Sequence, residues 1–159
     1  MITAVVGLGN ILRRDEGIGV FLLKEIRKNK ELKKFGNIEF IDGGTASFDA
    51  MSNITAGDRL IVMDAVKSGG EPGDVHFLKP GDLSEDGMID VHQAGLCRSL
   101  KWLEMEGRLP DVSILGIEID DISWSEGLSD GLLGKVPRIK EKVISEIIRI
   151  MNGEKSVTA

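Results

Sequence analysis

Cysteine is nearly absent: Cys97 stands alone among 159 residues. One thiol closes no intramolecular disulfide and builds no Cys-rich zinc cluster, so the chain suits a reducing cytoplasm. Cys97 itself reads as a small buried hydrophobe on a helix. Positive charge is outnumbered, with 20 Lys and Arg against 26 Asp and Glu and a formal net charge of -6. Phosphate binding needs a positive footprint, which argues against a nucleic-acid partner. Long apolar runs are missing too. The apolar start, residues 1–12, has no basic segment ahead of it and meets Arg13, Arg14 and Asp15 at once. It reads as a strand and not as a signal peptide or membrane span. Low-complexity and collagen-like signatures are lacking, while 42% hydrophobic and 29% charged residues are ordinary for a globular protein. The length fits one domain, taken as residues 1–153, followed by a flexible tail over 154–159. A monomer is expected from the net charge and the lack of a long exposed apolar stretch.

What is present alternates between two periodicities. Ile2 to Leu8 is short, β-branched and closed by glycines, which favours a buried strand. Ile18, Phe21, Leu22 and Ile26 then recur at helical spacing. Asp15 and Glu16 sit where a helix start favours negative charge. A second strand, Ile38–Ile41, runs into the turn Asp42-Gly43-Gly44-Thr45, and a short helix is expected over Phe48–Ile54. A third strand, Arg59–Met63, ends at Asp64. The turn Gly69–Gly73 leads to Val75–Leu78, read as an antiparallel hairpin partner with His76 in its middle serving structure or solvent. A helix from about Gln93 to Glu106, a last strand Ser113–Ile117, and a terminal helix with Val136, Ile139, Val143, Ile147 and Ile150 on one face complete the pattern. The expected fold is a three-layer α/β/α domain with a mostly parallel twisted sheet of about five strands, one of them antiparallel.

In such sheets, sites lie outside the carboxyl ends of the strands. Reading the strand ends in turn collects Asp15 and Glu16, then Asp42, then Asp64, with His92 just ahead of the fourth major helix. Carboxylate oxygens with an imidazole nitrogen suit a borderline divalent metal such as nickel or zinc. Three protein ligands with an open position are what a catalytic or substrate-bound metal requires. Each residue also has a plain structural reading: a helix cap for Asp15 or Glu16, a turn residue for Asp64, a first-turn helix residue for His92. Taken singly, those readings outweigh a ligand role; it is the joint placement on one edge that points to a metal. The glycines of Gly7-Leu8-Gly9-Asn10 do not make a dinucleotide site, because the third glycine is missing and acidic side chains at the helix start would repel a pyrophosphate.

Five stretches occur in order: Gly7-Leu8-Gly9-Asn10-Ile11-Leu12 with Asp15-Glu16-Gly17-Ile18-Gly19; Asp42-Gly43-Gly44-Thr45; Met63-Asp64-Ala65; His92-Gln93-Ala94-Gly95-Leu96; and Gly127-Leu128-Ser129. Together they resemble the [NiFe]-hydrogenase maturation endopeptidases over nearly the whole chain. That resemblance implies removal of a C-terminal extension from a hydrogenase large-subunit precursor once nickel has been inserted. It implies that Glu16, Asp64 and His92 recognise the nickel, which the precursor carries, and that Asp42 serves cleavage or substrate recognition. Glu16 and Asp64 are thereby candidates for catalysis as well as for metal contact. The first stretch departs from the more usual Asp-Asp pair, and Asp15 is assigned to helix capping. Two other readings stay open: a chaperone that holds nickel and precursor without cutting, and a peptidyl-tRNA hydrolase. The latter also opens with Gly-Leu-Gly-Asn but continues with a proline and a histidine-bearing stretch that this sequence lacks.

Overall fold

The computed structural model of the chain describes residues 1–83 and 94–154. Among these, five strands form one sheet: β1 (Thr3–Leu8), β2 (Ile38–Gly44), β3 (Arg59–Val66), β4 (Val75–Leu78) and β5 (Asp111–Glu118), in the order β2-β1-β3-β5-β4. β1 pairs in parallel with β2 and β3, β3 in parallel with β5, and β4 antiparallel with β5. The helices are α1 (Ile18–Ile26), α2 (Lys30–Lys33), α3 (Ser47–Ala50), α4 (Ala94–Met105), α5 (Asp130–Leu133) and α6 (Val136–Met151).

Strand alternation divides the core in two. Val5, Ile61, Met63, Ala65, Leu115 and Ile117 pack with Ile18, Leu22 and Ile26 of α1 and with Ile139, Val143 and Ile147 of α6. Ala4, Val6, Leu8, Leu60, Val62 and Ile114 face the other way, onto Met51 and Ile54 and onto Leu96, Leu100 and Leu103 of α4. Both faces of the central strands are covered, as a parallel sheet requires, and this is why β1 reads as a continuous apolar run. The apolar stripe of α6 lies in the core as its spacing predicts. No helix among the described residues is long and apolar enough to cross a membrane.

The structure corrects four local expectations. β4 is antiparallel, but its partner is β5 and not β3 across the preceding turn. The turn is drawn over the end of β5 because the buried Glu118 carboxylate accepts hydrogen bonds from Ser68 N and Gly70 N (2.9 and 2.5 Å), so β4 emerges on the far edge. β3 runs on to Val66, because Ala65 and Val66 are buried and paired with Ile117 and Glu118; Asp64 therefore lies inside the strand. The helix after β2 is the single turn Ser47–Ala50, followed by hydrogen-bonded turns to Ile54. Cys97 lies on α4 and is half-buried instead of fully buried. Residues 155–159 of the expected tail lie outside the described residues.

Candidate active site

β1 has β2 on one side and β3 on the other, and the two connections leave toward opposite faces of the sheet, α1 on one and α3 on the other. This reversal opens a crevice at the carboxyl ends of β1 and β3, the position where doubly wound sheets place their ligands. The chain leaves β1 through Gly9, whose φ of +137° is closed to L side chains and where a Cβ would collide with the Glu16 carbonyl. It then folds back as a 3-10 turn, Arg14–Gly17, against the end of β3. Gly19 lets α1 sit directly on the strand ends: a Cβ there would strike the carbonyl oxygens of Leu8 and Met63. Glycines thus bring the first-loop acids down onto β3.

Asp15 and Glu16 are both buried, with different surroundings. The Asp15 carboxylate accepts hydrogen bonds from Asp121 N (3.0 Å), Ser129 N (2.8 Å) and Ser129 Oγ (2.9 Å). The expected helix cap is not formed: α1 has no side-chain cap, and Asp15 instead fastens the loop between β5 and α5. Glu16 is only 7% exposed, and its Oε2 has no hydrogen-bond partner among the described residues. Arg13 Nη1 stands 3.6 Å from that oxygen, close enough for ion pairing and too long for a hydrogen bond.

Asp64 is fully buried and shares the sheet face of Leu60 and Val62. Its Oδ1 accepts from Ala65 N at 2.8 Å, while Oδ2 has no hydrogen-bond partner among the described residues. Burial pushes the Asp64 carboxyl well above the usual carboxylate range; the Ala65 N–H pulls against this, and the nearby Glu16 charge raises it further. Two buried oxygens without donors, one on each acid, are costly in an apolar interior.

Asp42 is exposed at the end of β2, where its Oδ1 accepts from Gly44 N (3.1 Å) within its own turn. It stands opposite Gly7 in the register, beside an irregularity at Leu8. It opens onto the same sheet edge but is hydrogen-bonded to neither Glu16 nor Asp64. His92 lies outside the described residues. Among the described residues no three His, Cys, Asp or Glu side chains come together as a metal cluster; Glu16 and Asp64 are both buried and the Glu16 charge is felt at Asp64, while Asp42 is exposed.

Residues that spacing did not single out complete the surroundings. Arg13 donates from Nε to the Ile122 carbonyl (3.2 Å), and its guanidinium lies 5.1 Å from the centre of the Trp124 ring. Arg14, at a φ of +47°, donates its N–H to the Ser125 carbonyl and pairs through Nε with Asp121 (3.5 Å). These partners are more than 100 positions away in sequence, beyond the reach of any periodicity. The Gly-Leu-Ser stretch was the visible signal, and its serine proves to be the partner of Asp15. His76 lies on the edge strand beside Ser68 Oγ (3.3 Å) and Glu118 (3.7 Å), in keeping with a structural role.

A mixed α/β domain with a buried acidic pair at the switch point of its sheet is the class that fold and site define. Residues 20–148 match the family of hydrogenase maturation proteases. The chain is 30% identical over 145 residues to hydrogenase expression/formation protein HupD of Rhizobium leguminosarum bv. viciae, covering 88% of this chain and 71% of that protein. It is 28% identical over 147 residues to the hydrogenase 2 maturation protease of Escherichia coli, covering 90% and 88%. In structure it is similar to the hydrogenase maturating endopeptidase HybD from E. coli, with a TM-score of 0.73 at 26% identity over 96% of this chain and 94% of that one. The chain belongs to the hydrogenase maturation protease family, and it is a hydrolase of peptide bonds.

Proposed function

We propose that the chain removes the C-terminal extension of a [NiFe]-hydrogenase large-subunit precursor after nickel insertion, and that it recognises the precursor-borne nickel through Glu16, Asp64 and His92. The observation that carries this reading is the pair of unpartnered buried oxygens, Glu16 Oε2 and Asp64 Oδ2. Buried acids so placed that the charge of one disfavours the charge of the other gain from a cation, so binding energy becomes available for docking. Nickel enters as part of the substrate, already held by the precursor's cysteines, and the peptidase carboxylates and imidazole complete its shell. The scissile bond is then fixed in one orientation, which converts an encounter into a positioned reaction.

Asp42, exposed at the rim and hydrogen-bonded within its own turn, is suited to serve as general base toward a water that attacks the peptide carbonyl. Asp64 must lose any proton it holds before it ligates, so docking should strengthen with rising pH. The working form is a cytoplasmic monomer, in keeping with a single cysteine and the acidic balance.

Incubation of the chain with nickel-loaded and nickel-free precursor, read by intact mass, tests this function. Release of a C-terminal peptide from the loaded form only, and its loss in Glu16→Gln, Asp64→Asn and His92→Ala, is expected. Equal cutting of the nickel-free precursor would remove the nickel from the account. Tight precursor binding with no peptide released would favour the chaperone reading.

A further inference from the structure

The cation that faces Glu16 among the described residues is Arg13, and the way it is held is unusual for an ion pair. Its Nε is committed to the Ile122 carbonyl and its face to the Trp124 ring, so the guanidinium is fixed from two sides. The loop that supplies both contacts is itself fastened to the first loop: Ser125 N donates to the Leu12 carbonyl (3.0 Å), Arg14 N donates to the Ser125 carbonyl (2.9 Å), and the buried Asp15 carboxylate accepts from Asp121 N. Held there, Nη1 comes to 3.6 Å from Glu16 Oε2 and no nearer. Arg13 thus offsets the charge of Glu16 while leaving its oxygen lone pairs unused.

Resting on the reading of Glu16 and Asp64 as the cation-engaging pair, we propose that Arg13 is a selectivity residue that turns this site against free divalent ions and toward a metal already carrying anionic ligands. A bare divalent ion placed on Glu16 Oε2 has the fixed guanidinium beside it and is repelled. A metal centre whose charge is neutralised by thiolates meets no such penalty, and its thiolate shell is attracted by the same guanidinium. The site therefore prefers the loaded substrate to free ions, which enter it only when they are in large excess. Trp124, 73% exposed, is the surface part of the device: its ring lies against the Arg13 guanidinium and holds it in place.

Titration calorimetry with free Ni²⁺ and free Cd²⁺ tests this on the intact chain. Arg13→Gln should bind either ion at least about tenfold more tightly than the parent, the size expected when one partly exposed charge beside a divalent ion is removed. Arg13→Lys, which keeps the charge, should stay near the parent. Trp124→Ala lets the guanidinium swing away and should strengthen free-ion binding by a few-fold; as an exposed side chain its removal spares the fold and serves as a second variant should Arg13→Gln fail to fold. Free-ion affinity unchanged or weaker in these variants, including no detectable binding in any of them, overturns the proposal. Glu16→Gln separates the two readings. If it abolishes ion binding while Arg13→Gln and Trp124→Ala give no gain, only the selectivity role falls; if it leaves ion binding intact, the acidic-pair reading itself fails.

Discussion

Substituting Asp64 by asparagine removes a carboxylate that the fold encloses completely and satisfies on one oxygen only. Asparagine keeps the volume and an Oδ1 for the Ala65 N–H, and it cannot ionise. In the native protein burial raises the Asp64 carboxyl above its ordinary value of 3.8, so across that window the native state holds a proton that the unfolded chain has lost. The native state then binds more protons than the unfolded one, and stability falls as pH rises through the window, levelling off once the native carboxyl ionises. The Asp64→Asn variant lacks this fall.

Asparagine still sets a polar Nδ2 where Oδ2 stood, so the cost relieved is that of ionising a buried carboxyl at high pH, about 1–3 kcal/mol. For a chain of this length that corresponds to a melting point raised by about 2–10 °C. Scanning calorimetry from pH 4 to pH 8 should show Asp64→Asn more stable than the parent at pH 8, with the difference growing as pH rises. Added Cd²⁺ should stabilise the parent and leave the variant unmoved. An Asp64→Asn variant less stable than the parent at pH 8, or a difference that does not change with pH, would refute the claim that function holds this carboxylate in the core at a cost to stability.

Three further outcomes follow from the geometry. Asp15→Ala strips the acceptor from Asp121 N, Ser129 N and Ser129 Oγ, and urea denaturation should show a loss of about 2–4 kcal/mol, since charge-assisted bonds to buried donors are broken together. Asp42→Asn alters an exposed side chain that can keep its bond to Gly44 N; stability should change by no more than about 0.5 kcal/mol, while precursor cleavage, followed by intact mass, should be lost if Asp42 is the base. Gly19→Ala sets a methyl group against the carbonyls of Leu8 and Met63, and chemical denaturation should register a cost of about 1–3 kcal/mol or more as α1 is pushed off the strand ends.

The architecture was legible where one physical signal dominates. β1 and β3 are covered on both faces and so read as continuous apolar runs, and α6 carries its buried stripe in plain helical spacing. The pairing of β4 was not legible, because it depends on a carboxylate, Glu118, that reaches back across nearly 50 positions to Ser68 and Gly70. The site divides the same way. Reading toward the carboxyl ends of the strands singles out Glu16 and Asp64; Asp64 proves to lie inside β3, and both acids are buried, with the Glu16 charge felt at Asp64. Neighbouring residues of like charge hide opposite roles: Asp15 is saturated with donors, chiefly from the distant Ser129, while Glu16 Oε2 has none among the described residues and only the Arg13 charge beside it. The role of Arg13 was not legible, since its partners Ile122 and Trp124 belong to a loop that only the folded chain brings near.

The most direct test of the central claim is to locate a metal in the protein itself, by anomalous diffraction from crystals soaked in cadmium or nickel. One ion bridging Glu16 Oε2 and Asp64 Oδ2, with His92 in its shell, is the expected result. An ion bound elsewhere, or an acidic pair left empty at saturating metal, would contradict the assignment of these residues to nickel recognition.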